Sequence, residues 1–130
     1  MEPELKDPFT GKRIYRFFSK QELACPCCGK VDMDLDFMLA LNKLRESYGK
    51  PLYVSSGYRC KKHNTKIKGH HNSAHMQGKA IDLKTYGIAS TARAISDRAS
   101  DFIGIEIGTK HVHLDMAKRS KKVIWSGTSK

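Results

Sequence analysis

The chain has 130 residues, 39% hydrophobic and 28% charged, with a formal net charge of +11 from 24 basic and 13 acidic side chains. That length suits one compact domain, burying roughly two-thirds of its unfolded surface without covalent staples. No apolar run approaches the roughly 18 residues of a membrane span. The polar opening Met1-Glu-Pro-Glu-Leu5 lacks the apolar stretch of a secretory signal, so synthesis in the cytoplasm is expected. The positive excess favours an anionic cell wall or membrane surface. Basic residues are spread along the chain and match no nucleic-acid-binding signature, so no specific nucleic acid is expected, and the chain reads as a monomer.

In chain order, residues 1–18 read as an extended arm or short strand, with Tyr15, Phe17 and Phe18 docking on the core. Ser19-Lys-Gln-Glu22 is a capping box that starts a short helix. Cys25-Pro-Cys-Cys-Gly29 breaks it. Asp34 is a natural N-cap for a helix whose apolar stripe is Phe37, Met38, Leu41, Leu44 and Tyr48, stopped by Gly49. Pro51–Ser55 reads as a strand. Residues 60–79 form a long polar loop with one helical turn near Lys61–Lys66, and loops of that length in small domains are usually functional. Ala80–Lys84 is a strand and Ile88–Phe102 a helix. Ile103–Ile107 and His111–Met116 form a hairpin through Gly108-Thr-Lys110. Residues 117–130 read as a basic tail that frays after Trp125. These elements predict an α+β fold, a small antiparallel sheet flanked by helices.

Two stretches carry chemistry: Ser73-Ala-His75-Met-Gln-Gly78-Lys-Ala80-Ile-Asp82 and His111-Val-His113-Leu-Asp115. Strand alternation puts His111 and His113 on one face. Asp82 lies between Ile81 and Leu83, where a carboxylate is costly unless paired or metal-bound. His75, Asp82 and His113 together make a three-ligand zinc set, leaving the fourth position open as a catalytic site requires. Asp115 alternates onto the face of His113 and is placed to orient it.

The pattern S-x-H-x-x-G-x-A-x-D followed by H-x-H, with Ser56-Gly-Tyr-Arg59 ahead of it, resembles the zinc D-Ala-D-Ala carboxypeptidases of peptidase family M15. That family shares its fold with the hedgehog signalling domain, and the resemblance covers roughly residues 19–116. It implies a zinc-dependent hydrolase of peptidoglycan stem peptides, of the D-Ala-D-Ala carboxypeptidase or L-alanyl-D-glutamate endopeptidase type. Many small members are bacteriophage endolysins, acting on the wall in the periplasm or carried in a virion. It also implies His75, Asp82 and His113 as zinc ligands and Arg59 and Ser73 as substrate-side residues. His111 would stabilise the oxyanion or orient water. Several members carry an acidic general base three residues before the last zinc histidine, where this chain has Lys110. Glu106 and His111 remain as catalytic candidates, Glu106 for the carboxylate base. The departure at Lys110 keeps a second reading open, a non-catalytic zinc module that binds cell wall or a protein partner.

The cysteines are Cys25, Cys27, Cys28 and Cys60. Cys25-x-x-Cys28 with Cys60-x-x-His63 has the spacing of a second, structural zinc site. A disulfide from Cys60, or free thiols, are the alternatives, and Cys27 is left over in each.

Overall fold

Helix α2 (Leu35–Tyr48) forms where its stripe predicts it. Asp34 caps it, accepting the Phe37 N–H at 3.0 Å, and Gly49 ends it in the left-handed region at φ +76°. The computed structural model describes residues 5–126. Ahead of α2, the capping box of Ser19 and Glu22 is present in both directions and starts α1 (Lys20–Leu23). The segment before α1 docks as expected through Phe18, fully buried, and through Ile14, with Tyr15 and Phe17 packed beside them. Its strand character, among the described residues, is confined to an isolated β-bridge, Lys6 to Arg13.

The remaining elements are β1 (Val54–Ser56), α3 (Lys61–Lys66), a 3-10 turn (Ala74–Gln77), β2 (Ala80–Lys84), α4 (Ala89–Asp97), β3 (Gly104–Ile107), β4 (His111–Asp115) and β5 (Val123–Ser126). The strands form one sheet in the order β1-β2-β4-β3-β5. The long loop is thus punctuated by α3 and the 3-10 turn. Helix α4 ends at Asp97, short of the expected Phe102, and β1 starts three residues later than Pro51.

One expectation is corrected. The sheet is mixed, because the segment read as a basic tail returns as β5 and pairs parallel to β3, with the Val123 N–H donating to the Ile103 carbonyl at 2.8 Å. A run of Val-Ile-Trp is too short to show a period by itself. Its strand character comes from the open β3 edge it covers. Residues 127–130, the end of that tail, lie outside the described residues.

Alternation divides the sheet into two faces. Ile81, Leu83, Ile105, Val112 and Leu114 are at most 1% exposed and share the core with Phe37, Leu41 and Ile95 of the helices and with Phe102. Phe37 and Phe102 meet edge-to-face at 5.4 Å. The opposite face carries the polar residues of the same strands. Strand register lines up Ser56, Asp82, His113, Glu106 and Trp125 as one row across all five strands.

Candidate metal centre

The donor atoms of His75, Asp82 and His113 converge within 4.8 Å of one another. Asp82 and His113 are direct cross-strand partners on β2 and β4. His75 arrives from the 3-10 turn, which folds back onto β2 through Gly78. Gly78 sits at φ +69°, and a Cβ there would overlap the Asp32 carbonyl oxygen and the Met33 backbone. Only glycine satisfies both the backbone angle and that approach. The Gly78 carbonyl in turn accepts the Asp34 N–H at 2.9 Å, tying the turn to the start of α2.

Both histidines are held by the nitrogen that points away from the centre. His75 Nδ1 lies 2.7 Å from the Gly57 carbonyl oxygen, which can only accept, so Nδ1 carries the proton and Nε2 turns its lone pair toward Asp82, 3.5 Å away. His113 Nε2 donates to Asp115 Oδ2 at 2.7 Å, and its Nδ1 faces Asp82 Oδ1 at 2.9 Å. Metal-binding imidazoles are oriented in this way, with the outer N–H on a carbonyl or carboxylate. The donor set of two imidazoles and one carboxylate, with neither histidine's outer nitrogen spare, fits zinc.

The charges are strongly coupled. Burial opposes ionisation of Asp82, but the hydrogen bond from His113 and the adjoining imidazole of His75 outweigh it and hold its pKa far below the usual carboxylate range. Burial likewise disfavours the charged form of His113, yet Asp115 and Asp82 raise its pKa to about 9. Asp115 is 1% exposed and stays ionised despite that burial, through His113, Arg119 and the Ala117 N–H. Without a metal, a proton on His113 holds the trio together.

Arg59 borders the trio. Its Nη2 lies 3.5 Å from Asp82 Oδ2, its Nε donates to Ser56 Oγ at 3.1 Å and its Nη1 reaches Asn64 Oδ1 at 3.5 Å. Burial lowers its pKa and Asp82 counteracts that. Ser73 caps the 3-10 turn, its Oγ accepting the His75 N–H at 3.2 Å. Glu106 stands directly across from His113 on β3. Its Oε1 lies 3.5 Å from His111 Nε2, and its Oε2 accepts the indole N–H of Trp125 at 2.7 Å.

Four supporting residues escaped the sequence reading. Gly57 was seen within Ser-Gly-Tyr-Arg, but its role is a carbonyl, aimed at His75 because the glycine packs against Leu23; an added Cβ would sit 2.7 Å from the Leu23 oxygen. Arg119 pairs with Asp115 through both its terminal nitrogens. Trp125 holds Glu106, and the Arg119 guanidinium lies 5.5 Å from the Trp125 ring centroid. Asn64, 2% exposed, bridges Arg59 and the His70 carbonyl. The last three are polar or aromatic residues in ordinary surroundings, and no sequence signal marks them.

A second group, Cys25, Cys28 and Cys60, brings its three sulfurs within 4.8 Å. His63, expected as its fourth member, enters instead through its backbone N–H, which donates to Cys60 Sγ at 3.4 Å. A cleft of about 730 Å³ lies between this group and β1, bordered by Cys25, His63, Ser56 and Gly57.

No curated protein matches the chain significantly. The sequence profile of the Peptidase M15 family matches residues 16–115, which include the whole His75, Asp82, His113 trio and exclude Arg119 and Trp125. The chain therefore belongs to the M15 peptidases, a family of zinc-dependent peptidases, and carries a metal-competent donor trio where the strands and the 3-10 turn converge.

Proposed function

We propose that this chain is a zinc-dependent peptidase that hydrolyses peptide bonds of bacterial peptidoglycan, as a D-Ala-D-Ala carboxypeptidase or L-alanyl-D-glutamate endopeptidase. The observation that carries the reading is the pair of oriented imidazoles, each with its outer nitrogen engaged and its inner nitrogen turned to Asp82. Zinc held by His75, Asp82 and His113 would lower the pKa of water to about 7 and polarise the scissile carbonyl.

The chain's own residues supply the rest. Arg59 offers a fixed cation beside Asp82, suited to a substrate carboxylate or to the carbonyl oxygen as charge develops on it. Glu106, steadied on one oxygen by Trp125, keeps the other toward His111, and takes the water proton and returns it to the leaving amine. His111 shares that proton path and stabilises the oxyanion. The charge of +11 suits an anionic wall, and such an enzyme would meet it after release through a membrane lesion or from a virion.

The test is mass spectrometry of peptidoglycan digested by the zinc-loaded protein. New amino termini at one stem-peptide bond are expected, and none with His75→Ala. Wall binding without bond cleavage would replace this reading by the non-catalytic module, the alternative that Lys110 in place of an acid favours.

A further inference from the structure

The cysteine group lies outside the chemistry just described and has a geometry that needs its own account. Cys25-Pro-Cys-Cys-Gly29 folds as a tight turn. Gly29 adopts φ +73° and donates its N–H to the Cys25 carbonyl at 2.7 Å, while the Cys25 N–H donates to the Lys30 carbonyl at 2.8 Å. This turn points backbone N–H groups of Cys27 and Cys28 at the Cys25 sulfur, and the Cys60 N–H joins them from the other side at 3.5 Å. Amide donors around a sulfur favour the negative charge that a metal-bound thiolate carries. Cys60 Sγ accepts the His63 N–H in the same fashion.

Cys25 Sγ and Cys60 Sγ are 3.6 Å apart. Two thiolates bound at about 2.3 Å to a tetrahedral zinc stand about 3.8 Å from each other. A disulfide engages two sulfurs, whereas here Cys28 completes a triangle with both others.

We propose that Cys25, Cys28 and Cys60 form a second metal site, binding a thiophilic divalent cation of the zinc type as a structural clamp. The fourth position of a tetrahedral site is open to a side chain or water. The clamp joins two segments far apart in sequence, the turn after α1 and the start of α3. Between them runs the segment from Ser56 to Arg59. There Tyr58 donates its N–H to the Leu23 carbonyl at 2.8 Å, Gly57 orients His75 and Arg59 faces Asp82. A metal in the cysteine group therefore braces one wall of the catalytic centre without touching substrate.

The test isolates this site from the first by using His75→Ala, so its outcome is independent of whether the trio catalyses anything. The variant, purified under reducing conditions, is loaded with zinc or cobalt and dialysed. One metal per chain is expected, with a thiolate-to-cobalt charge-transfer band in the near ultraviolet and a melting temperature several degrees above the chelated form. His75→Ala/Cys28→Ser is expected to bind none and to lose the band; Cys28 is exposed, so its replacement leaves the core intact. Absence of metal in His75→Ala overturns the proposal. So does cobalt bound without the thiolate band, or an intact mass lower by the two hydrogens of a Cys25–Cys60 disulfide.

Discussion

Asp115 Oδ2 accepts the Nε2 proton of His113 at 2.7 Å, and this single hydrogen bond determines which nitrogen of His113 faces Asp82. Asp115 is itself fixed by Arg119 and by the Ala117 N–H. Asp115→Asn is therefore expected to leave the fold intact and to weaken zinc binding by roughly 10- to 100-fold. Competition with a chromophoric chelator measures it. An unchanged affinity would show that Asp115 serves packing alone.

The metal-free protein should show a specific pH profile. The pKa of His113 rises from 6.5 to about 9 because Asp115 and Asp82 overcome its burial. Such a raised value contributes stability that is fully present below about pH 6.5 and is lost as pH rises through about 9. Asp82 and Asp115 are depressed, so their contribution is present above about pH 4 and is lost only in acid. Thermal melts in chelator are expected to fall across the alkaline limb, by on the order of a few kcal/mol. Zinc-loaded protein should lack that fall, because His113 is then a neutral ligand. A flat alkaline limb in chelator would contradict the coupling.

Glu106 as base predicts a clean separation of roles. Glu106→Gln should lower kcat by roughly 10²- to 10⁴-fold with zinc content unchanged. Trp125→Phe removes the indole N–H that holds Glu106 and should lower kcat about tenfold, a loss near the worth of one hydrogen bond to a charged group. Full activity in Glu106→Gln would move the base to His111.

Arg59→Lys keeps the charge but loses the fork that spans Ser56, Asn64 and Asp82. A fall in kcat/KM of roughly tenfold or more is expected, with zinc affinity nearly unchanged. Steady-state kinetics on a stem peptide and on its carboxyl-amidated form separate carboxylate binding from carbonyl stabilisation.

Gly78→Ala should destabilise the protein and weaken the metal site together. The left-handed angle alone costs about 1–2 kcal/mol, and the Cβ overlap with Asp32 adds to it. Chemical denaturation of the apo protein reads the first effect, and zinc titration the second.

Much of this molecule is legible in its amino-acid order. Local rules fixed α1 and α2: a capping box, an Asp cap, an apolar stripe and a terminal glycine each act within a few residues. Strand alternation put His111 and His113 on one face, and the costly Asp82 between Ile81 and Leu83 marked a charged site. The motif spacing therefore carried the trio and the family.

What tertiary structure alone decided concerns contacts between distant segments. Strand β5 exists because β3 offered an unpaired edge, and its arrival brought Trp125 to Glu106 and Arg119 to Asp115. The row from Ser56 to Trp125 is a matter of register across five strands, which no single strand encodes. Which imidazole nitrogen faces the centre depends on the Gly57 carbonyl, set by packing against Leu23 of α1, and on the Asp115 carboxylate, set by Arg119 and the Ala117 N–H. The residues able to hold a metal were thus fixed by sequence pattern, since ligand chemistry demands particular side chains. The orientation that makes them a centre is a property of the folded neighbours, because hydrogen-bond geometry is decided only when distant backbone and side chains meet.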